Sequence, residues 1–285
     1  MDLSIVIVNF NTKELTTQTI NSVLANTNGI DYEIIVVDNS NKQNEKYACS
    51  IDNVVVLPDI ENHGFGHACN IGTCVAKGKY ILFLNSDTII SDNSIYKCVE
   101  FISKNTEIGA LGAKIILEDG KLDHGCKRGF PTPDAAMYYY LGLDKKYPMS
   151  RKYGAYRQTF LSKDEINEVD SISGAFILVP KSLFNKMGGF DETFFMYGED
   201  LDLCYRIKQS GHKIVYYPKA EILHLKGQSG LHTKSKFVIY HFYNSMILFY
   251  KKHYKSKYSI LTTLAVFSMI KIKYVFTLIK MKMRG

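Results

Sequence analysis

A carboxylate follows directly after a strongly apolar stretch of the chain. Residues 80–84 form an unbroken apolar run, and Asn85, Ser86 and Asp87 come next. Such a run predicts a buried strand, and the ligands of open α/β sheets bind at the carboxyl ends of strands. Asp87 is therefore the first candidate for chemistry, although the same triplet also suits a turn or a helix N-cap.

Further candidate groups stand at the ends of other predicted elements. Asp38 ends a second apolar run, Glu199 and Asp200 open a helical stretch, and His224 follows the last predicted strand. One carboxylate and one imidazole are sufficient for Mg²⁺ or Mn²⁺ when a diphosphate supplies further oxygens, and a second acidic site can act as a general base. The set suits a phosphorylated substrate. Taken singly, His224 also suits a hydrogen-bonded core histidine, and the two helix acids suit a helix N-terminus.

The elements that must position these groups alternate along the first hundred residues. Apolar runs predict strands at residues 3–8, 32–37, 54–57 and 80–84, and helical spacing predicts helices at 13–25, up to about residue 76, and at 95–103. This alternation predicts βαβ units and a mostly parallel sheet, with the tips near Asn9, Asp38 and Asp87 along one rim. Residues 109–170 predict a strand at 109–117 and then a long loop region with short helices. A strand at 174–180, helices at 181–187 and 200–209, and a last strand at 213–217, which residues 222–224 follow, complete the prediction.

Several common site motifs are absent from the sequence or incomplete. The segment Gly64-Phe-Gly66-His-Ala-Cys69 lacks the third glycine of a dinucleotide-binding loop, so it is weak support for such a cofactor. The chain has no Walker A loop, no Gly-x-Ser-x-Gly elbow and no His-Glu-x-x-His helix. Its six cysteines show no metal-binding spacing and are typical of a reducing compartment. The N-terminus resembles a first strand and not a signal peptide.

Charge is distributed unevenly along the chain, whose net charge is +7. Residues 1–221 carry 23 bases and 28 acids, whereas the remainder carries twelve bases and no acid. The uncharged stretch at residues 258–270 is shorter than the roughly twenty residues that span a bilayer. The tail therefore predicts basic amphipathic helices on an anionic membrane surface. Packing against the catalytic domain or a second subunit is the alternative, and no recognised module supports nucleic-acid binding.

A series of motifs, in order and over residues 3–230, resembles the family 2 glycosyltransferases. These are inverting enzymes with a GT-A fold, and the closest resemblance is to the group called rhamnosyltransferase-like. The matching segments are residues 4–11, 35–40, 61–65 with Asn70, 83–87, 128–131, 173–176, 188–206, 211–214 and 224–229. The resemblance implies an α/β fold of GT-A type, with a Rossmann-like, mostly parallel sheet and flanking helices over 1–230, and a basic helical extension over 231–285.

The resemblance also implies roles for individual residues. Asp87 and His224 would bind the Mg²⁺ or Mn²⁺ ion, with Asn85 at the first position of the family's Asp-x-Asp motif. Asp200 would be the base that accepts the proton of the acceptor hydroxyl, and Glu199 is its neighbouring alternative. The nucleotide-sugar pocket would be formed by Asn9, Asn11, Asp38, Asn62, Gly64, Phe65, Asn70, Asn85 and Ser86.

The implied function is transfer of a sugar from a nucleotide-sugar, with dTDP-rhamnose as the first candidate and UDP-sugars as alternatives. The implied acceptor is a glycan, often lipid-linked, at the cytoplasmic face of the plasma membrane. A non-catalytic nucleotide-sugar-binding scaffold is the alternative, and the joint presence of Asp87, Asp200 and His224 argues against it. A sugar-phosphate nucleotidyltransferase would need a Gly-rich basic loop after the first strand, and residues 9–15 do not provide one.

Overall fold

Strands and helices alternate through the first hundred residues of the computed structural model, which describes residues 1–58, 61–225 and 235–283. Unbroken apolar runs form the strands, and helices follow β1 and β3 directly. The elements are β1 (Leu3–Asn9), α1 (Lys13–Asn26), β2 (Tyr32–Asp38), β3 (Val54–Pro58), α2 (Phe65–Val75), β4 (Tyr80–Asn85) and α3 (Ser94–Ser103).

The second half of the chain is less regular. Its strands are β5 (Thr88–Ile90), β6 (Ile108–Leu117), β7 (Asn167–Val169), β8 (Phe176–Pro180) and β9 (Lys213–His224). Its helices are α4 (Pro133–Tyr140), α5 (Leu143–Lys146), α6 (Lys181–Lys186), α7 (Glu199–Gln209), α8 (Lys236–His253) and α9 (Ile260–Lys282).

Three strands differ from the sequence prediction. β5 and β7 were not predicted, because three residues are too few to show an alternating pattern. β9 continues through Pro218 to His224, whereas the sequence predicts a strand that ends at residue 217. The register with β6 shifts between Ala113 and Lys114, so residues 218–220 lie in a bulge. Proline is tolerated there, because its missing N–H removes no ladder hydrogen bond.

The described strands form one mixed, mainly parallel sheet in the order β3-β2-β1-β4-β8-β6-β9-β5, with β7 also paired to β9. β1 to β4 are parallel neighbours, β8 is antiparallel to β4 and β6, and β9 is parallel to β6. The carboxyl ends of β1, β2 and β4 therefore share one rim with the start of β8. This confirms the α/β prediction, and it brings residues from both halves of the chain to the same edge.

Aromatic packing beneath β4 fixes the loop that leads to the predicted catalytic acids. Phe83 of β4 is fully buried, and its ring centroid lies 4.9 Å from that of Phe184 and 4.8 Å from that of Phe190. Edge-to-face contacts of this kind are favourable beyond the apolar area that they bury. The segment after α6 is thereby anchored to the sheet immediately before α7 begins.

The first C-terminal helix packs directly on α7. Tyr205 of α7 lies in a buried cluster with Phe249 of α8 and with Tyr254, which directly follows α8. Beside this cluster the Asp202 carboxylate is fully buried, with Oδ1 at 2.7 Å from both the His253 Nε2 and the Lys252 Nζ. Burial alone would raise the pKa of Asp202, but the hydrogen bond from His253 and the charges of Arg206 and Lys252 lower it to about 2.

The contacts between α7 and α8 concern the predicted domain boundary at residue 230. The boundary itself, and the motif residues 226–229, lie outside the described residues, as does Arg284 at the end of the basic tail. Because α8 shares a buried cluster and an ion-pair network with α7, the two packed helices form one structural unit. The division into a catalytic domain over 1–230 and a membrane-associating extension over 231–285 stays a prediction.

The last helix, α9, projects apolar side chains away from the protein. It has 23 residues and is long and apolar enough to cross a membrane by length and composition, with little of it buried. Leu261, Leu264 and Val275 are each more than half exposed. The thirteen-residue uncharged stretch gives too short a length for this helix. The helix continues past Lys271 and Lys273, and each residue adds about 1.5 Å.

Replacement of the buried carboxylate in Asp202→Ala tests the contact between α7 and α8. Removing one member of a buried ion-pair network leaves its partners uncompensated, so we expect the free energy of unfolding to fall by about 3–5 kcal/mol. Urea unfolding at pH 7 measures this. The stabilisation is present above the ordinary aspartate pKa and is lost as the pH falls toward about 2.

Glu100→Ala is the matched control, because its pair with Lys104 on α3 is exposed. We expect little or no change in the free energy of unfolding for such a surface pair, because water screens it. Equal stabilities of the two variants would contradict the structural role of Asp202.

Candidate active site

A cavity of about 480 Å³ opens at the carboxyl rim of the sheet. Elements from both halves of the chain contribute to its walls: the tip of β4, the start of α2, the end of β9 and the first turn of α7. Nine of the residues predicted from the sequence line it, namely Asn62, Gly64, Phe65, Asn85, Ser86, Asp87, Glu199, Asp200 and His224.

Asp87 and His224 form a buried pair in this cavity. The chain turns after β4 into β5, and Thr88 at the start of β5 pairs directly with His224 at the end of β9. This register places the Asp87 Oδ1 3.0 Å from the His224 Nε2, and both side chains are less than 10% exposed. The strand pairing explains why two residues 137 positions apart meet.

A second carboxylate, from Asp123, lies on the other side of the imidazole. Its Oδ2 is 3.6 Å from the His224 Nδ1, and its Oδ1 accepts a hydrogen bond of 2.9 Å from the Gly125 N–H. Burial alone would lower the pKa of His224, but Asp123 and Asp87 together raise it to about 9. Sequence reasoning missed Asp123, because it lies in a loop with no periodic pattern.

The Asp87 and His224 pair fits one side of a divalent cation site. Two ligand atoms at about 2.1 Å from one ion and at right angles to each other are about 3 Å apart, which matches the separation of this pair. Mg²⁺ and Mn²⁺ prefer carboxylate oxygens as ligands, whereas Zn²⁺ also binds imidazole nitrogens readily. In the described part of the chain, no group of three or more His, Cys, Asp or Glu side chains is arranged around a metal position. Any ion held here must therefore take further oxygens from substrate and water.

Asp200 is held in one orientation by groups from two other segments. Its Oδ2 accepts hydrogen bonds from the Arg128 guanidinium at 2.5 Å and from the Gly174 N–H at 3.0 Å. The Asp200 side chain is 13% exposed and the Arg128 side chain 21%. Arg128 belongs to a motif that the family resemblance includes, but its partner could not be identified before the fold brought the segments together.

Glu199, the neighbouring residue, is in a different environment. It is 7% exposed, and its Oε2 has no hydrogen-bond partner among the described residues. Burial raises the pKa of Glu199 to about 8, and the charge of Asp200 acts in the same direction. The two adjacent carboxyl groups are therefore in different states: burial favours the neutral form of Glu199, whereas Asp200 is ion-paired.

Four of the predicted nucleotide-binding residues do not line the cavity. Asn9 is fully buried, and its Nδ2 donates to the Asp38 Oδ1 at 2.8 Å. The other oxygen of Asp38 accepts the Tyr47 N–H at 3.0 Å. Asn11 donates to the Asn41 Oδ1 at 2.7 Å. These hydrogen bonds hold together the loops after β1 and β2, which form the wall beside the cavity.

Asn70, the fourth of these residues, lies behind the cavity and joins α2 to the segment before α7. Its Nδ2 donates to the Phe190 carbonyl at 3.0 Å, and its Oδ1 accepts the Phe190 N–H at 2.9 Å. This two-way hydrogen bond fixes the spacing between the two walls.

At the cavity wall, the backbone of Gly64 lies close to the backbone of Phe195. This glycine has a φ of 107°, and a Cβ there would lie 2.3 Å from the Phe195 carbonyl oxygen. The next residue, Phe65, donates its N–H to the same oxygen at 3.0 Å. Only glycine fits this close approach, which joins the start of α2 to the segment before Glu199.

Family models match most of the chain. Residues 4–163 match the model described as Glycosyl transferase family 2, and residues 158–228 match the model described as N-terminal domain of galactosyltransferase.

Two curated proteins share a third of their residues with the matched part of the chain. Rhamnosyltransferase WbbL of Escherichia coli (strain K12) is 33% identical over 220 residues, which are 72% of this chain and 78% of that protein. An N-acetylglucosaminyl-diphospho-decaprenol L-rhamnosyltransferase of Mycobacterium tuberculosis (strain ATCC 25618 / H37Rv) is 33% identical over 189 residues. The second match spans 62% of this chain and 60% of the mycobacterial protein.

Solved structures share the fold at lower identity. GalNAc-T7, solved with UDP, GalNAc and Mn²⁺, has a TM-score of 0.60 at 20% identity, covering 86% of this chain and 47% of that one. S. aureus TarS 1–349 in complex with UDP-GlcNAc has a TM-score of 0.60 at 18% identity, covering 95% and 71%. These likenesses support the GT-A arrangement of the sheet. The chain therefore belongs to glycosyl transferase family 2, in its rhamnosyltransferase-like group.

Proposed function

We propose that the chain transfers a sugar from a nucleotide-sugar to a hydroxyl of a growing surface glycan, with inversion at the anomeric carbon. The observation that carries this proposal is the presence, in one cavity, of a cation-compatible pair and a separately held carboxylate base. The first pair is Asp87 with His224, and the base is Asp200 with Arg128. A scaffold that only binds the nucleotide has no need for the second pair.

The donor is bound through its diphosphate and its nucleoside. Asp87 and His224, the latter as a neutral imidazole, would hold Mg²⁺ or Mn²⁺, and the ion would supply positive charge for the departing diphosphate. Asn85 and Ser86 line the cavity next to this pair. We propose dTDP-rhamnose as the donor because the matched relatives carry rhamnosyltransferase names. A UDP-sugar is the alternative, because the fold neighbours were solved with UDP.

The nucleoside lies against the loops at the ends of β1, β2 and β3. Asn62, Gly64 and Phe65 line the cavity on that side. Four of the predicted residues lie behind the loops that the nucleoside contacts. Their side-chain hydrogen bonds shape these loops; the residues are Asn9, Asn11, Asp38 and Asn70.

Asp200 accepts the proton of the acceptor hydroxyl as its oxygen attacks the anomeric carbon. Arg128 and the Gly174 N–H position the carboxylate, so catalysis depends on orientation as well as on basicity. Glu199, protonated at neutral pH, does not compete for the proton. Its neutral carboxyl group also avoids a second negative charge beside Asp200.

The acceptor is a polyprenyl-diphosphate-linked glycan at the cytoplasmic face of the plasma membrane. The name of the mycobacterial relative refers to a diphospho-decaprenol acceptor. The basic C-terminal segment and the exposed apolar surface of α9 suit attachment to an anionic membrane. Residues 1–230 provide the chemistry, and residues 231–285 bring it to the membrane.

Asp87→Asn tests the proposed cation site. Release of nucleoside diphosphate from dTDP-rhamnose and UDP-sugars is measured with Mn²⁺ and with chelator. Loss of one charged ligand weakens stabilisation of the leaving group, so we expect release by the variant to fall about 100-fold and to lose its dependence on Mn²⁺. Asp92→Asn, in an exposed turn, is the control and should behave like the wild type. Full metal-dependent activity of Asp87→Asn would refute the site.

Asp200→Asn and Glu199→Gln together identify the base. Each keeps the size of the side chain, and glutamine reproduces the neutral form of Glu199. We expect transfer at pH 7 to fall by about 100-fold or more in Asp200→Asn and to stay within about 5-fold of wild type in Glu199→Gln.

The pH profile of transfer provides the second readout. Because the pKa of Glu199 is raised to about 8, the wild type acquires a charge beside Asp200 above that pH, whereas Glu199→Gln does not. We expect the alkaline decline of wild-type activity to be absent in Glu199→Gln. Loss of activity in Glu199→Gln with retention in Asp200→Asn would assign the base to Glu199.

A further inference from the structure

A second, larger cavity lies on the acceptor side of the catalytic carboxylates. It has a volume of about 810 Å³ and is enclosed by α4, α8 and α9. Glu199 and Asp200 line it together with Arg128, and the same three residues also line the first cavity. The two spaces are therefore adjacent, with the proposed base between them.

The walls of this second cavity are mainly apolar and aromatic. Met246 and Phe249 of α8 face Val266, Met269 and Ile270 of α9 across it. Arg128, Glu199, Asp200 and several tyrosines give another part of the lining polar groups, but these α8 and α9 side chains offer a sugar no hydrogen-bond donors. The composition suits a hydrocarbon chain.

Two hydrogen bonds hold α9 antiparallel on α8 at the ends of this space. The Tyr250 and Thr263 hydroxyls are 3.1 Å apart, and the Tyr243 and Thr277 hydroxyls are 2.7 Å apart. Residues 263 and 277 are about 20 Å apart along the helix at 1.5 Å per residue. These hydrogen bonds fix α9 against α8 along the cavity, and we call this cavity the slot.

One positively charged side chain, that of Lys273, lies in the mainly apolar wall of the slot. The Lys273 Nζ lies 3.6 Å from the centre of the Tyr140 ring, and both residues line the cavity. No carboxylate is paired with Lys273 in the described ranges 1–58, 61–225 and 235–283, and no acid occurs in the sequence after Glu221. A half-buried ammonium without a carboxylate partner is complementary to an anion, such as a phosphate.

The slot also borders the helix that faces the membrane. Phe276 lines the cavity and is 67% exposed, while Val275 beside it is exposed outside the cavity. A lipid in the bilayer can therefore pass along α9 into the slot without crossing a polar surface.

We propose that the slot between α4, α8 and α9 binds the first isoprenoid units of a polyprenyl diphosphate acceptor, with Lys273 binding the diphosphate. The proposal rests on the proposed transferase function and locates its acceptor. It orders the acceptor along the slot, with the sugar hydroxyl at Asp200, the diphosphate at Lys273 and the hydrocarbon between α8 and α9.

Binding of radiolabelled farnesyl diphosphate to the full chain in nanodiscs tests this assignment without the need for turnover. We expect Lys273→Gln to weaken binding about 10-fold, because a charge-assisted contact to the diphosphate is lost. Lys271→Gln removes an exposed charge two residues away on the same helix, and its affinity should stay within about 2-fold of wild type.

A second pair of variants tests the hydrocarbon slot. Ala136 of α4 lines the cavity, so Ala136→Phe fills part of it and should also weaken binding about 10-fold. Met137→Phe places the same side chain on the exposed side of α4 and should leave the affinity unchanged. Thermal unfolding verifies that each variant is folded.

Three results would overturn the proposal: equal effects of Lys273→Gln and Lys271→Gln, binding of pyrophosphate as tight as that of farnesyl diphosphate, or equally tight binding of dodecyl phosphate. The last result would mean a general amphiphile site and not an isoprenoid site.

Binding of UDP and dTDP by the same preparations distinguishes this proposal from the transferase proposal. If nucleotides bind but farnesyl diphosphate binding does not depend on Lys273, the proposed donor site is retained and the proposed lipid slot is refuted. Farnesyl diphosphate binding that depends on Lys273, without nucleotide binding, supports the slot and refutes the donor site.

Discussion

Burial of negative charge at the rim of the sheet is the constraint on which the rest of the site depends. In the described part of the chain, Asp87, Asp123, Glu199 and Asp200 all line one cavity. Ionised carboxylates so removed from water are unfavourable unless each is compensated. His224 lies between the first two, Arg128 pairs with Asp200, and Glu199 retains its proton. Each compensation leaves its residue in a different chemical state, and this difference allows them different roles.

The architecture follows from the need to bring these compensating groups together. β4 delivers Asp87, and the antiparallel pairing of β5 with β9 delivers His224 to it. α7 delivers Asp200, while Arg128 comes from the irregular region between β6 and β8. Behind α7, the buried network around Asp202 joins α8 to the catalytic body. α8, on which α9 packs, is thereby joined to the helix that carries the proposed base.

The sequence predicted the parts that depend on local pattern. Apolar runs located β1 to β4, and position at element ends located Asp87, Asp200 and His224 as candidates; the family resemblance added their roles. The fold and the family were confirmed, whereas the individual roles stay predictions.

Contacts between distant segments carry no comparable local signal. Asp123, the Arg128 partner of Asp200 and the His253 partner of Asp202 could not be located for that reason. The internal hydrogen bonds of Asn9 and Asp38 show the same limit, because the side chains sit at the predicted rim but face their own loops. The extent of α9 was underestimated because lysines interrupt its apolar sequence without ending the helix.

Calorimetric titration of the wild-type chain with UDP, dTDP, GDP and their sugars, with Mn²⁺ and with chelator, tests the central claim most directly. The account predicts that one nucleotide class binds, that binding requires the metal, and that the sugar conjugate of that class binds at the same site. Absence of binding by every nucleotide in the presence of Mn²⁺ would contradict it.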